Sequence, residues 1–200
     1  KRDPTKDIFD EHAKVVFGLL IFLLPLVWFI RKFNTEIVYI FFGPNWELSG
    51  SILKILILCS IFVPTTSLNL TLIKSIGRTD MITFNKLSGL GLILILFAAT
   101  KNTDFNDFMW GLVIVSILQY LISFLTMALM VEIKLRSYCL SLIFVLILSG
   151  IIVVMYEVLM KSQFHNIIVE LFVNGLGLLT SSVITLATVW YIKVRFFLDD

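Results

Sequence analysis

Six long apolar runs dominate this chain, and they decide what it can fold into. They span residues 15–30, 51–73, 81–100, 108–131, 138–160 and 167–192. A helix needs about 20 mostly apolar residues to cross a bilayer. These runs are continuously apolar and do not alternate, which points to helices and not to a barrel. The composition leaves little other choice. Of the 200 residues 58% are hydrophobic and only 15% charged, against about 25% charged in ordinary soluble domains. A soluble domain of this size could not hide so much apolar surface. The expected fold is an all-α, polytopic membrane bundle of six helices forming one membrane domain.

The segments between the runs are short. Residues 31–50 contain the turn Phe41-Phe-Gly-Pro-Asn-Trp-Glu-Leu-Ser-Gly50, in which Gly43-Pro44 is a turn dipeptide and Asn45 tolerates unusual backbone angles. The first run is short, and residues 31–42 after it read as an interfacial extension. Charge is distributed unevenly. Ten basic residues fall on one side: Lys1, Arg2, Lys6, Lys14, Lys74, Arg78, Lys134, Arg136, Lys193 and Arg195. Four fall on the other: Arg31, Lys32, Lys101 and Lys161. Basic loops stay in the cytoplasm, so both ends of the segment are expected there. Trp46 then faces outward as an interfacial anchor.

Several polar residues lie inside the runs. Lys54 is near the outer end of the second and Lys86 near the inner end of the third. Charge at membrane depth faces a bundle interior or a watery cavity, unless the side chain snorkels to the headgroups. As a cavity lining, the two lysines would suit an anionic substrate. In the fourth run Ser116, Gln119, Ser123 and Thr126 are spaced 3, 4, 3 and share one helix face. In the sixth, Glu170, Asn174, Gly177, Ser181, Thr185 and Thr188 form a longer stripe. Such stripes glue helices together in lipid, or else face a hydrated cavity. Pro25 and Pro64 each remove a backbone donor and kink a helix. Pro64 heads the most polar patch within any run, Thr65, Thr66, Ser67 and Asn69. Its hydroxyls either satisfy freed carbonyls or line a path. Gly89 and Gly91 permit close helix approach.

Enzyme chemistry finds no foothold. There is no GxSxG, no HExxH and no Gly-rich phosphate loop. Cys59 and Cys139 are far from any CxxC spacing, and His12 and His165 stand alone. The chain is not read as an enzyme, and no metal or cofactor is expected. The formal charge of +2 is too small to argue for nucleic acid.

Three features in order are familiar: the charged lead KRDPTKDIFDEHAK running into VVFGLLIFLLPLVWFI, then IFFGPNW, then SLNLTLIKSIGRTDMI. Their order, over residues 1–90, resembles the later part of bacterial polysaccharide exporters. These are the lipid-linked oligosaccharide flippases of the multidrug/oligosaccharidyl-lipid/polysaccharide exporter superfamily. The resemblance implies the C-terminal part of a two-lobe transporter with 12–14 helices, and the charged lead, which begins at Lys1, reads as an interhelical loop of that longer chain. It implies a multi-pass protein of the bacterial cytoplasmic membrane that flips undecaprenyl-pyrophosphate-linked units by alternating access, for O-antigen, lipopolysaccharide or exopolysaccharide export. The implied partners are the lipid-linked oligosaccharide, membrane lipid, a polysaccharide polymerase and glycosyltransferases. Lys54, Lys86, Arg78, Asn69 and Gln119 are the cavity candidates. Glu170 is the candidate for ion coupling. That residue also keeps open a cation-coupled drug exporter of the same superfamily. A membrane-embedded polysaccharide polymerase fits less well, because the longest outward segment is short and largely apolar. An accessory membrane protein remains a further alternative.

Overall fold

The computed structural model describes residues 4–130 and, beyond them, positions 143, 145–147, 149–151, 153–154, 173–178, 180 and 183. Among the described residues every regular element is helical. Helix α1 (Pro4–Lys32) is followed by the short α2 (Asn34–Phe42), a 3₁₀ turn (Pro44–Trp46), α3 (Glu47–Leu56), α4 (Cys59–Ser75), α5 (Thr79–Ala99) and α6 (Phe105–Met130). Among the described residues four segments are long and apolar enough to cross a membrane: Glu11–Lys32, Leu48–Ser75, Thr79–Ala99 and Phe105–Met130. They correspond to the first four of the six expected spans. The fifth (138–160) and sixth (167–192) lie mostly outside the described residues. Val145 from the fifth packs with Val16, Leu20 and Ile21 of α1, and Leu178 from the sixth packs against Trp28 and Phe29.

The charged lead is not the loop that its composition suggests. The first helix starts at Pro4. Proline suits the first helical position, where its missing N–H would have had no partner, and Lys14 pairs with Glu11 one turn earlier, as neighbours on a helix face do. The chain then turns at Phe33, which is buried with Asn34 and Val38. The Asn34 carboxamide donates to the carbonyl of Arg31 at 2.7 Å, satisfying one of the open carbonyls at the end of α1. The residues expected as an interfacial extension form α2, which ends at Gly43 with φ +86°, a conformation glycine adopts without strain. Trp46 is exposed beside Phe42, with ring centroids 5.6 Å apart.

The second span departs from the expected single kinked helix. It is broken at Ile57–Leu58, between α3 and α4. Pro64 offers no N–H to the Ser60 carbonyl, and its ring presses on that carbonyl. The chain upstream tightens instead: Leu58 N–H bonds the Ile55 carbonyl, Ser60 N–H that of Ile57 and Ile61 N–H that of Leu58. These are 3₁₀-type bonds. The Ser60 hydroxyl adds a bond to the Ile57 carbonyl at 2.6 Å.

The core is small and sits between helices. Leu70, Leu72, Ile73 and Met127 form one cluster on α4 and α6. Large side chains on the outer faces, among them Phe84, Leu87, Leu90 and Leu94 of α5 and Leu121, Leu125 and Leu129 of α6, are exposed. Apolar surface of this extent is covered by lipid or by further protein.

Candidate polar layer between helices α4, α5 and α6

The polar residues of the middle spans converge. Asn69 of α4, Asn85 of α5 and Ser123 of α6 are fully buried. The Asn69 carboxamide donates from Nδ2 to Ser123 Oγ at 3.1 Å. Ser123 in turn donates to the Tyr120 carbonyl at 2.8 Å. One turn along α6, Gln119 Nε2 donates to the Asn85 backbone carbonyl at 2.7 Å and to Asn85 Oδ1. Asn69 lies six residues before the end of α4 and Asn85 six after the start of α5, so both sit about 9 Å along the axis from a helix end. Gly89 makes room for this contact: a Cβ there would lie 2.9 Å from Gln119 Oε1. Gly91 makes no comparable contact, since nothing lies within 4 Å of its Cβ position. Of the two glycines expected to admit a neighbouring helix, only Gly89 does so.

The stripe on the fourth span therefore faces protein. Ser123 and Thr126 are buried, and Gln119 spans to α5. The hydroxyls after Pro64 divide. Thr65 bonds the Ile61 and Phe62 carbonyls, and Ser67 bonds that of Val63, back-bonds to the preceding turn that do not go to the Ser60 carbonyl left open by Pro64. Thr66 does not follow them. Its Oγ1, with Asn69 Oδ1, Asn85 Nδ2 and Gln119 Oε1, is buried and without a hydrogen-bond partner. A buried polar atom left so costs about 1–3 kcal/mol. The layer thus presents two carbonyl acceptors, one amide donor and one hydroxyl, all uncharged.

The structure does not bring all the candidates together. Asn69 and Gln119 belong to the layer. Arg78 is exposed after Gly77, where φ is +84°, and its guanidinium donates twice to the Asp80 carboxylate, at 3.1 and 3.0 Å. That carboxylate holds the guanidinium pKa above its ordinary value. Arg78 also borders a cleft of about 490 Å³ shared with Thr126, Met81 and Met130. Lys54 is exposed on α3. Lys86 is exposed on α5 among Thr83, Leu87 and Leu90. Glu170 lies outside the described residues, as do Ser181, Thr185 and Thr188. Asn174 of the same stripe is buried.

Asn85 is the member of the layer that sequence reasoning passed over in favour of its charged neighbour Lys86. The signal was the pair Asn85 and Gly89, an amide and a glycine one turn apart. Among the described residues no group of three or more His, Cys, Asp or Glu side chains could hold a metal ion.

These features define a helical, multi-pass membrane protein with an uncharged polar layer buried between its spans. No family model, curated protein or solved structure matches the chain.

Proposed function

We propose that this chain forms one lobe of an alternating-access transporter that carries a lipid-linked, anionic oligosaccharide across the bacterial cytoplasmic membrane. The undecaprenyl-pyrophosphate-linked unit is the substrate class implied by the sequence resemblance. The observation that carries the reading is the polar layer of Asn69, Asn85, Gln119 and Ser123, whose Asn69 lies on the span interrupted at Ile57–Leu58, eleven residues past the break. Transporters place polar sites next to discontinuous helices, where backbone can rearrange without exposing it to lipid. Neutral amides and hydroxyls give exchangeable hydrogen bonds of about 0.5–1.5 kcal/mol each, weak enough for a sugar to be released.

The charged part of such a substrate needs cations. An unpaired charge in hydrocarbon costs several kcal/mol or more. Lys54 and Lys86 are exposed on the described surface, as side chains lining a cavity against a second lobe would be. A lysine offers them as compact charges on flexible stems. In this reading both chain ends are cytoplasmic, and the turn at Trp46 faces outward.

The test uses a strain deleted for the full-length gene and asks where the lipid-linked unit accumulates. A membrane-impermeant lectin or glycosidase reports its face. Accumulation on the cytoplasmic face supports the flippase. Accumulation of unpolymerised units on the outer face assigns the defect to polymerisation and overturns it.

A further inference from the structure

The polar layer is held by three hydrogen bonds between helices and leaves four buried atoms without a partner. The bonds run from Asn69 Nδ2 to Ser123 Oγ, and from Gln119 Nε2 to the Asn85 carbonyl and to Asn85 Oδ1. The atoms left over are Thr66 Oγ1, Asn69 Oδ1, Asn85 Nδ2 and Gln119 Oε1. In this arrangement none of the four has surface open to a water molecule.

Turning the amides over does not repair this. The Tyr120 carbonyl takes the hydroxyl hydrogen of Ser123, so Ser123 Oγ accepts and Asn69 has to offer it Nδ2. The Asn85 backbone carbonyl can only accept, so Gln119 has to offer Nε2. Asn85 then meets that same Nε2 with Oδ1, and its own Nδ2 is turned away. Two backbone carbonyls thus fix three side-chain amides. Each reversal would only exchange one unpartnered atom for another.

A buried polar group without a partner costs more than a made hydrogen bond returns. With four such atoms against three bonds, the polar part of the layer favours separation of the helices. What holds it shut is apolar: Leu70, Leu72 and Ile73 of α4 against Met127 of α6, with Met81 and Ile82 of α5 packed on them. The break at Ile57–Leu58 lets α4 tilt without carrying α3 with it.

We propose that the layer is a two-state element whose second state opens to water, and that water then bonds Thr66, Asn69, Asn85 and Gln119. The Asn85 N–H and the Thr66 hydroxyl donate, while the Asn69 and Gln119 carbonyl oxygens accept. Water matches both roles. A cation is repelled by the Asn85 N–H and an anion by the two carbonyl oxygens. The place of this opening in transport rests on the function proposed above. The opening itself does not, and its test contains no lipid-linked substrate, so either can fail alone.

The experiment uses the full chain in nanodiscs with Cys59→Ser and Cys139→Ser. The probe is a small cationic methanethiosulfonate, which needs a thiolate and therefore water at the thiol. Thr66→Cys is the reporter. Leu121→Cys, exposed on the apolar face of α6, is the dry reference. Both positions lie nine residues before the end of their helices, about 13.5 Å in. Asn45→Cys, exposed in the turn, is the wet reference. A minor state populated at about 0.1–10% makes Thr66→Cys react about 10- to 1,000-fold more slowly than Asn45→Cys, and still faster than Leu121→Cys. Adding Asn85→Leu and Gln119→Leu to the reporter chain removes two unpartnered atoms together with the bonds between these side chains. That change is expected to slow the Thr66→Cys reaction about fivefold or more, whereas damage to the fold would speed it. Ser67→Ala, which removes an exposed hydroxyl bonded within α4, is expected to leave the rate unchanged. Reaction at Thr66→Cys no faster than at Leu121→Cys overturns the proposal. So does a reaction that Asn85→Leu with Gln119→Leu fails to slow.

Discussion

Asn69 on α4 and Ser123 on α6 are 54 positions apart in sequence and joined by a 3.1 Å hydrogen bond in a fully buried layer. Hydrogen bonds between helices in membranes contribute about 0.6 kcal/mol on average and up to about 1.7. Ser123 keeps its own acceptor, the Tyr120 carbonyl, so its hydroxyl is fixed before Asn69 reaches it. We expect Ser123→Ala and Asn69→Ala to be destabilising, with a coupling energy of about 0.5–1.5 kcal/mol in a double-mutant cycle. Unfolding in mixed micelles by titration with a denaturing detergent measures it. A coupling of zero would mean the two side chains do not act as a pair.

The two glycines of α5 separate packing from propensity. At Gly89 an added methyl meets Gln119 Oε1 at 2.9 Å and Cδ at 3.1 Å. The Gln119 side chain could swing away only by giving up its bonds to Asn85. Gly89→Ala is therefore expected to destabilise by about 1–3 kcal/mol, and Gln119→Ala in the same chain to recover part of that loss. Gly91→Ala meets nothing within 4 Å and is expected to be neutral or stabilising by up to about 1 kcal/mol. Equal effects at both positions in the same detergent titration would contradict the packing at Gly89.

The sequence made the helical class and the first four spans plain, because run length alone separates membrane helices from other folds. It also marked Asn69, Gln119 and Ser123, since amides and hydroxyls are costly in lipid wherever they point. What it could not give was rotation. Helix α5 is apolar on every side, so nothing in its pattern tells that Asn85 is buried while Lys86, one residue on, is exposed. The break at Ile57–Leu58 was equally hidden. Pro64 announces a distortion, but where the strain is taken up depends on which upstream residues accept 3₁₀ bonds, and no residue type marks Ile57–Leu58 as that place. The charged lead misled for a related reason: a polar composition reads as loop, whereas the helix of the first span continues through it from Pro4.

Orientation follows from charge and can be read with thiols. If all six apolar runs span the membrane, ten of the fourteen basic residues outside them fall on the side of Lys74 and Arg78, and that side is expected to be cytoplasmic. In a background with Cys59→Ser and Cys139→Ser, Asn45→Cys is expected to react with a membrane-impermeant maleimide in intact cells. Ile76→Cys, exposed just before Gly77, is expected to react only after permeabilisation. The reverse pattern would invert the whole chain and place the Trp46 turn inside.

The lysines give the sharpest division between a structural and a transport role. Lys54 and Lys86 are exposed, and neither has a carboxylate partner among the described residues, so Lys54→Ala and Lys86→Ala are expected to change stability by no more than about 0.5 kcal/mol. If they line the path of a pyrophosphate, each removes a charged hydrogen bond of about 1.5–3 kcal/mol. At matched protein level the export rate should then fall about tenfold or more for either variant. Lys86→Arg preserves the charge and is expected to retain most of the activity, which a loss through misfolding would not predict. Lys101→Ala, an exposed loop cation, supplies the control and is expected to export normally. A simple anchoring role, in which each lysine reaches the headgroups, predicts instead that all four variants export like the unmodified chain. That result would remove both lysines from the transport path and leave the neutral layer of Asn69, Asn85, Gln119 and Ser123 as the part of this lobe to pursue.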